Sequence, residues 1–195
     1  MKIGKFKITL NSPVILGFTA LCFIAFLINM ITAGTANKVL FSCYRASLLN
    51  PLTYVRFFGH AIGHASWAHL SGNITMILVI GPLLEEKYGS KNILFIIIAT
   101  AFFSGIANFI FFPKVGIIGA SGVVFAMILL ASFASVKNGE IPVTLILVAF
   151  FYIGGQIYEG LFSNDNISHF SHIIGGLVGA ASGFMLNGIT EHRNN

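Results

Sequence analysis

Charge is what this sequence has least of. Charged side chains make up 9% of its 195 residues, where a water-soluble domain needs roughly 25% to cover its surface. That scarcity excludes a cytosolic globular enzyme, and a hydrophobic share of 56% excludes a disordered tail. Cysteine is nearly absent too. Cys22 sits in an apolar run and Cys43 in a polar stretch, which supports neither the disulfide framework of a secreted module nor a metal motif. The Lys and Arg residues number 11 against 6 acids, a net charge of +5. They are scattered singly, so no basic stripe exists for a nucleic acid to follow. What is abundant is apolar: 20 Phe and a mean hydropathy of +0.88. Surface of that kind must face lipid.

Six apolar stretches stand out, at Pro13–Ile31, Ser66–Leu84, Ile93–Phe112, Ser121–Val136, Pro142–Tyr158 and Ser171–Asn187. The first three have the ~20 residues that a helix needs to cross a bilayer, and the last three are shorter. Helices, not an open sheet, must carry the backbone hydrogen bonds in lipid, and the alternation of a β-barrel is absent. The chain therefore reads as an all-α membrane protein, a single six-helix domain over residues 1–195. Short cytoplasmic tails are expected at 1–12 and 188–195, and the break Thr32–Ala65 reads as a long outer loop. With the N-terminus inside, Lys2, Lys5, Lys7, Lys87, Lys91, Lys137 and Arg193 fall on the cytoplasmic side. Lys38, Arg45, Arg56 and Lys114 fall outside. The excess of basic residues inside, three of them just before the first span, favours this orientation. The first apolar run also resembles a signal peptide, but at about 19 residues it exceeds the 7–15 of a usual signal core.

Polar residues inside a membrane span are functional candidates by default. At 1.5 Å per residue, Ser121 lies about 24 Å above Lys137 and His172 about 22 Å above Asn187. On the second span His69 lies about 24 Å and Asn73 about 18 Å above Glu85. Three separately anchored helices thus place Ser, His, His and Asn in one layer beneath the outer surface. Ser121 opens its span within Gly119-Ala120-Ser121-Gly122, where unpaired amides and the positive end of the helix dipole form an anion site. His172 is followed by Gly175, Gly176, Gly179 and Gly183. On a helical wheel His172, Gly176, Gly179 and Gly183 make a stripe that lets a neighbouring helix approach closely. His69 and Asn73 are one turn apart, and Asn73 offers an amide donor. His60 and His64 have a spacing that could hold a metal, yet no carboxylate or thiolate ligand lies near, and neither a metal nor a cofactor is expected. All six acids lie away from the layer, so the inventory permits a Ser121–His172 dyad and not a triad with Asp.

Taken together, these motifs resemble the rhomboid family of intramembrane serine proteases. The resemblance runs from about Arg56 to Gly183, through His60-Ala-Ile-Gly-His64-Ala-Ser-Trp-Ala-His69-Leu-Ser-Gly-Asn73, Glu85 before Tyr88-Gly89, Gly119-Ala120-Ser121-Gly122, and His172 with Gly175 and Gly179. It implies a rhomboid-like six-helix bundle with a catalytic core at about 50–188 and a wet cavity open to the outside. Ser121 would be the nucleophile and His172 the general base. The oxyanion would be held by the Ser121 amide, His69 and Asn73. Arg56, His60, His64, Glu85, Gly119, Gly122, Gly175 and Gly179 would be structural. Substrates would be transmembrane proteins, cleaved in or near their membrane segment, and the fifth span would be a lateral gate. The expected location is a bacterial cell membrane, with both termini cytoplasmic. Phe125 stands where many members stack a Tyr on the base, and Val55-Arg56 replaces a Trp-Arg pair. Those departures motivate a second reading, a rhomboid-like protein that binds membrane clients without cutting them. A transporter using the polar layer is a third, disfavoured by the lack of charge at mid-membrane.

Overall fold

The computed structural model describes the backbone of residues 2–3, 6–7, 9–134, 136, 140–162 and 166–194, and the side chains of 9–134, 136, 140–151, 154–155, 158 and 169–187. Lys137, which the sequence marks as the inner end of the fourth span, lies outside the described residues, as do Lys5 and Asp165. So do the side chains of Lys2, Lys7, Glu159, Glu191 and Arg193. The chain folds as an all-helical membrane bundle of apolar helices. These are α1 (Pro13–Ile31), α3 (Trp67–Tyr88), α4 (Ser90–Phe111), α5 (Ser121–Phe133), α6 (Val143–Phe162) and α7 (Asn166–Asn194), with a short helix α2 (Pro51–Gly59) in the connection between α1 and α3. Before them a small antiparallel hairpin pairs Lys2 with Lys7 and Ile3 with Phe6. Helices α1, α3, α4 and the His169–Asn187 part of α7 are long and apolar enough to cross a membrane.

Helix α5 is the axis of the bundle. Val123, Ala126, Met127, Leu129 and Leu130 are all buried, and α3, α4, α6 and α7 surround it. A helix apolar on every side is stable only in such a central position. It ends at Phe133, short of the expected Val136, and its last carbonyls are bonded from outside the helix. Lys87 Nζ donates to the Ala134 carbonyl and Asn187 Nδ2 to that of Phe133, while the Tyr88 hydroxyl donates to Asn187 Oδ1 at 3.2 Å. These bonds satisfy orphan groups that lipid cannot.

Two expectations are corrected. The Thr32–Ala65 segment is not a plain loop: it holds a π-helical turn Asn37–Phe41, a bridge between Cys43 and Ile117, and α2. The Cys43 thiol is buried against Gly105 O at 3.4 Å, and burial pushes its pKa up to about 12, so it stays protonated and unreactive. Secondly, α6 and α7 are longer than read from hydropathy. Helix α7 begins at Asn166 instead of Ser171 and carries the expected C-terminal tail within it as far as Asn194.

Glu85 is buried near the C-terminal end of α3 and ties α1 to it. Its carboxylate accepts from Val14 N at 3.0 Å, Ile15 N at 2.9 Å and Ser90 Oγ at 2.7 Å. Since Pro13 has no N–H and Ser12 makes no side-chain cap, this anion is the N-terminal cap of α1. Glu85→Ala is expected to lower stability by about 2–4 kcal/mol, because buried amides lose a charged acceptor. SDS unfolding in mixed micelles measures it. A loss below about 0.5 kcal/mol would show that the carboxylate does not cap α1.

Candidate active site

The turn that carries Ser121 is shaped before α5 begins. Ile117 pairs with Cys43, and the Gly119 amide donates to the His60 carbonyl at 2.8 Å. Gly119 then turns at φ +127. A Cβ there would lie 2.6 Å from both Cε1 and Nε2 of His69, so conformation and space together require glycine. The turn delivers Ser121 to the first position of α5, where amides have no partner within the helix.

Helix α7 meets α5 at backbone distance. A Cβ on Gly175 would be 2.1 Å from Gly122 O, and one on Gly179 would be 2.1 Å from Ala126 O. A Cβ on Gly183 would be 2.5 Å from Phe133 Cβ. The close stripe is therefore Gly175, Gly179 and Gly183, at a spacing of four. Gly176, expected on it, lies to one side at ordinary contact from Leu129. Gly122 is crowded as well: a Cβ there would lie 3.3 Å from Ser171 Oγ and 3.4 Å from Ser104 Oγ.

This packing brings Ser121 Oγ to 2.8 Å from His172 Nε2, with both residues half-buried. The imidazole lies flat on the Phe125 ring, with centroids 4.2 Å apart and planes within 8°. Phe125 is one turn after Ser121, so a single helix carries both the hydroxyl and the surface that orients its partner. An imidazole held this close to a hydroxyl can accept its proton.

On the facing side, Ser66 caps α3 by accepting from His69 N at 3.2 Å. The His69 ring covers Gly119 and stands edge-on to His64, with centroids 5.0 Å apart. Asn73, one turn on and buried, has Nδ2 3.1 Å from His64 Nε2. His60 Nε2 reaches the Ala101 carbonyl at 2.9 Å. Burial pushes the pKa of His60 down to about 4, partly offset by that bond. Burial and the neighbouring His69 likewise push His64 down to about 4. Among the described residues, no group of His, Cys, Asp and Glu could hold a metal ion.

Ser121, His172, Phe125, His69 and Asn73 thus converge at one end of the bundle, where α5 begins. Gly122, Gly175 and Gly179 form the α5–α7 crossing beside them, and Gly119 forms the turn before Ser121. Arg56 and Glu85 lie elsewhere. Arg56 Nε donates to the Val39 carbonyl at 2.8 Å and its guanidinium stacks 4.4 Å over Tyr44, which pins α2 to the π-helical turn. Val55, its neighbour, points outward. Two residues near the site carry no mark in the sequence reading. His169 is edge-on to His172 at 6.2 Å, a face-sharing position three residues upstream. Phe170 packs on Phe112 at 5.1 Å and Phe111 at 5.8 Å, joining the N-terminal part of α7 to the C-terminal end of α4.

Residues 51–188 match the family model of the Rhomboid domain. The chain is 30% identical over 152 residues to Rhomboid-related protein 1 of Caenorhabditis elegans, a match covering 71% of this chain and 42% of that protein. It is 28% identical over 174 residues to Rhomboid protease GluP of Bacillus subtilis (strain 168), covering 85% and 34%. With Rhomboid protease GlpG of Serratia proteamaculans (strain 568) it shares 25% identity over 185 residues, covering 93% and 64%. The chain spans less than two thirds of the length of each of these relatives.

Proposed function

Since the chain belongs to the rhomboid family, an integral membrane protein on that ground and by its apolar helices, we propose that it is a serine endopeptidase. It would cleave transmembrane proteins within or beside their membrane segment. The observation that carries this reading is the 2.8 Å approach of Ser121 Oγ to His172 Nε2 across two helices. His172 takes the hydroxyl proton as Ser121 attacks the scissile carbonyl. It then returns the proton to the amine as the C–N bond breaks, and water hydrolyses the acyl-enzyme by the same route. The Ser121 amide at the start of α5, with His69 and Asn73, supplies the donors for the oxyanion. Only a hydroxyl and an imidazole are needed for these steps. Helix α6 is the proposed lateral gate for substrate. The excess of basic residues on one side supports cytoplasmic termini, in a bacterial cell membrane.

A fluorophosphonate probe tests the reading. The wild type should label in detergent or proteoliposomes, and Ser121→Ala and His172→Ala should not. A wild type that fails to label but still binds transmembrane segments would support the client-binding reading suggested by Phe125 and Val55.

Phe125 supplies a stacking surface without a hydroxyl. Phe125→Leu keeps apolar volume and loses the flat contact on His172, so kcat should fall about 5- to 15-fold with KM nearly constant, matching the ~1–1.5 kcal/mol of an aromatic stack. Unchanged kcat would show that the stack does not orient the base.

A further inference from the structure

His60 and His64 take no part in the hydrolytic steps, yet both are buried against the nucleophile turn. Their protonation can be read from their partners. The Ala101 carbonyl can only accept, so His60 Nε2 carries a proton. His64 shows the opposite arrangement. The Ala120 amide can only donate, and it points at His64 Nε2 from 3.4 Å, so that nitrogen keeps its lone pair. The proton of the neutral ring is then on Nδ1, which faces the Ile62 carbonyl at 3.2 Å. The group 3.1 Å away on Asn73 must in turn be its NH₂, since an oxygen there would face a lone pair. A backbone hydrogen thus fixes the tautomer of His64, and His64 fixes which way the Asn73 amide lies. One N–H of Asn73 is used by His64. The same nitrogen is 3.7 Å from the point where a Gly119 Cβ would sit, hence beside the nucleophile turn.

We propose that His64, held as the neutral Nδ1–H tautomer by the Ala120 amide, is a positioning residue that orients the Asn73 amide toward Ser121. It is no catalytic group itself. It keeps the second Asn73 N–H presented to the oxyanion. The role rests on the protease reading above, and burial of the ring, which keeps it neutral, agrees with it. A protonated His64 would set Nε2–H against two N–H donors and release both.

The test uses the full-length protein in proteoliposomes with a membrane-spanning reporter. His64→Leu should lower kcat roughly 10- to 100-fold with KM changed less than about twofold, as for loss of an aligned oxyanion donor. His64→Gln, whose amide oxygen can accept in place of Nε2, should recover kcat to within about fivefold of wild type. In an Asn73→Ala background, His64→Leu should cost less than about a further twofold, because the two residues act through one amide. Multiplicative losses, or a His64→Leu protein with wild-type kcat and only a lower melting point, would overturn the role. A readout independent of activity is the imidazole ¹⁵N spectrum of folded Ser121→Ala. It should show His64 protonated on Nδ1 and bare on Nε2, and the reverse tautomer overturns the proposal. A wild type that neither labels nor cleaves sinks the protease reading alone, and the tautomer then still decides the His64 geometry.

Discussion

Ser121→Ala is expected to reduce cleavage of a transmembrane reporter by about 10⁴-fold or more, and His172→Ala by a similar factor. The size follows from the division of labour. Neither the 2.8 Å pair nor its phenyl support offers a substitute base. Removing the hydroxyl removes the attacking atom. Removing the imidazole leaves a hydroxyl whose proton has no acceptor. Because the two groups act as a unit, the double variant should be no slower than the slower single variant. The proposed oxyanion donors, the residue 121 amide with His69 and Asn73, are unchanged in all three proteins, so any remaining hydrolysis would report them alone. The measurement is single-turnover cleavage in proteoliposomes, normalised to folded protein. A double variant much slower than either single, or a Ser121→Ala rate within tenfold of wild type, would show that hydrolysis runs through other groups.

Much of this site was legible in the sequence because its chemistry is local. Gly119-Ala120-Ser121-Gly122 announces a tight turn into a helix. His69 and Asn73 share a helix face by spacing alone, as do Ser121 and Phe125. Low charge with long apolar runs is enough to make the chain a membrane helical bundle. What stayed hidden depends on chain segments far apart in sequence. The roles of His60 and His64 come from the Gly119 and Ala120 amides, almost sixty residues away, and no periodicity encodes that meeting. The glycine stripe was misread by one position because an ideal 100° wheel cannot tell Gly175 from Gly176 when both lie within reach of one face. The start of α7 was missed for a different reason: Asn166, Ser168 and His169 are polar, and hydropathy ends a span where amphipathic helix continues. Helix α2 did leave a signal. Asn50 followed by Pro51 is a cap and first-position pair, and Asn50 accepts from Leu52 N at 3.0 Å. Hydropathy alone passes over a helix of nine residues.

The glycines of α7 should separate catalysis from stability according to their distance from His172. Gly175 is one turn from the imidazole, and a methyl there would meet Gly122 O at 2.1 Å, an atom that cannot rotate away. The two helices must part by about an ångström, and a displacement of that size at a reacting pair costs about 10²-fold in rate. Gly175→Ala is therefore expected to lower kcat by about 10²-fold per folded molecule, and to lower stability by about 1–3 kcal/mol through overpacking. Gly183 lies eleven residues from His172, roughly 16 Å along the helix. A methyl there meets the Phe133 side chain instead, at 2.5 Å from Cβ and 2.8 Å from Cγ. Gly183→Ala should cost a similar 1–3 kcal/mol, because the crossing is tight there too. Its kcat should stay within about threefold of wild type, since the strain falls at the C-terminal end of α5, remote from Ser121 and His172. SDS unfolding gives the stability arm, and probe-titrated turnover gives the rate arm. Equal loss of kcat in both variants would mean that α7 moves on α5 as a rigid rod, and that the crossing at Gly175 has no privileged hold on the imidazole.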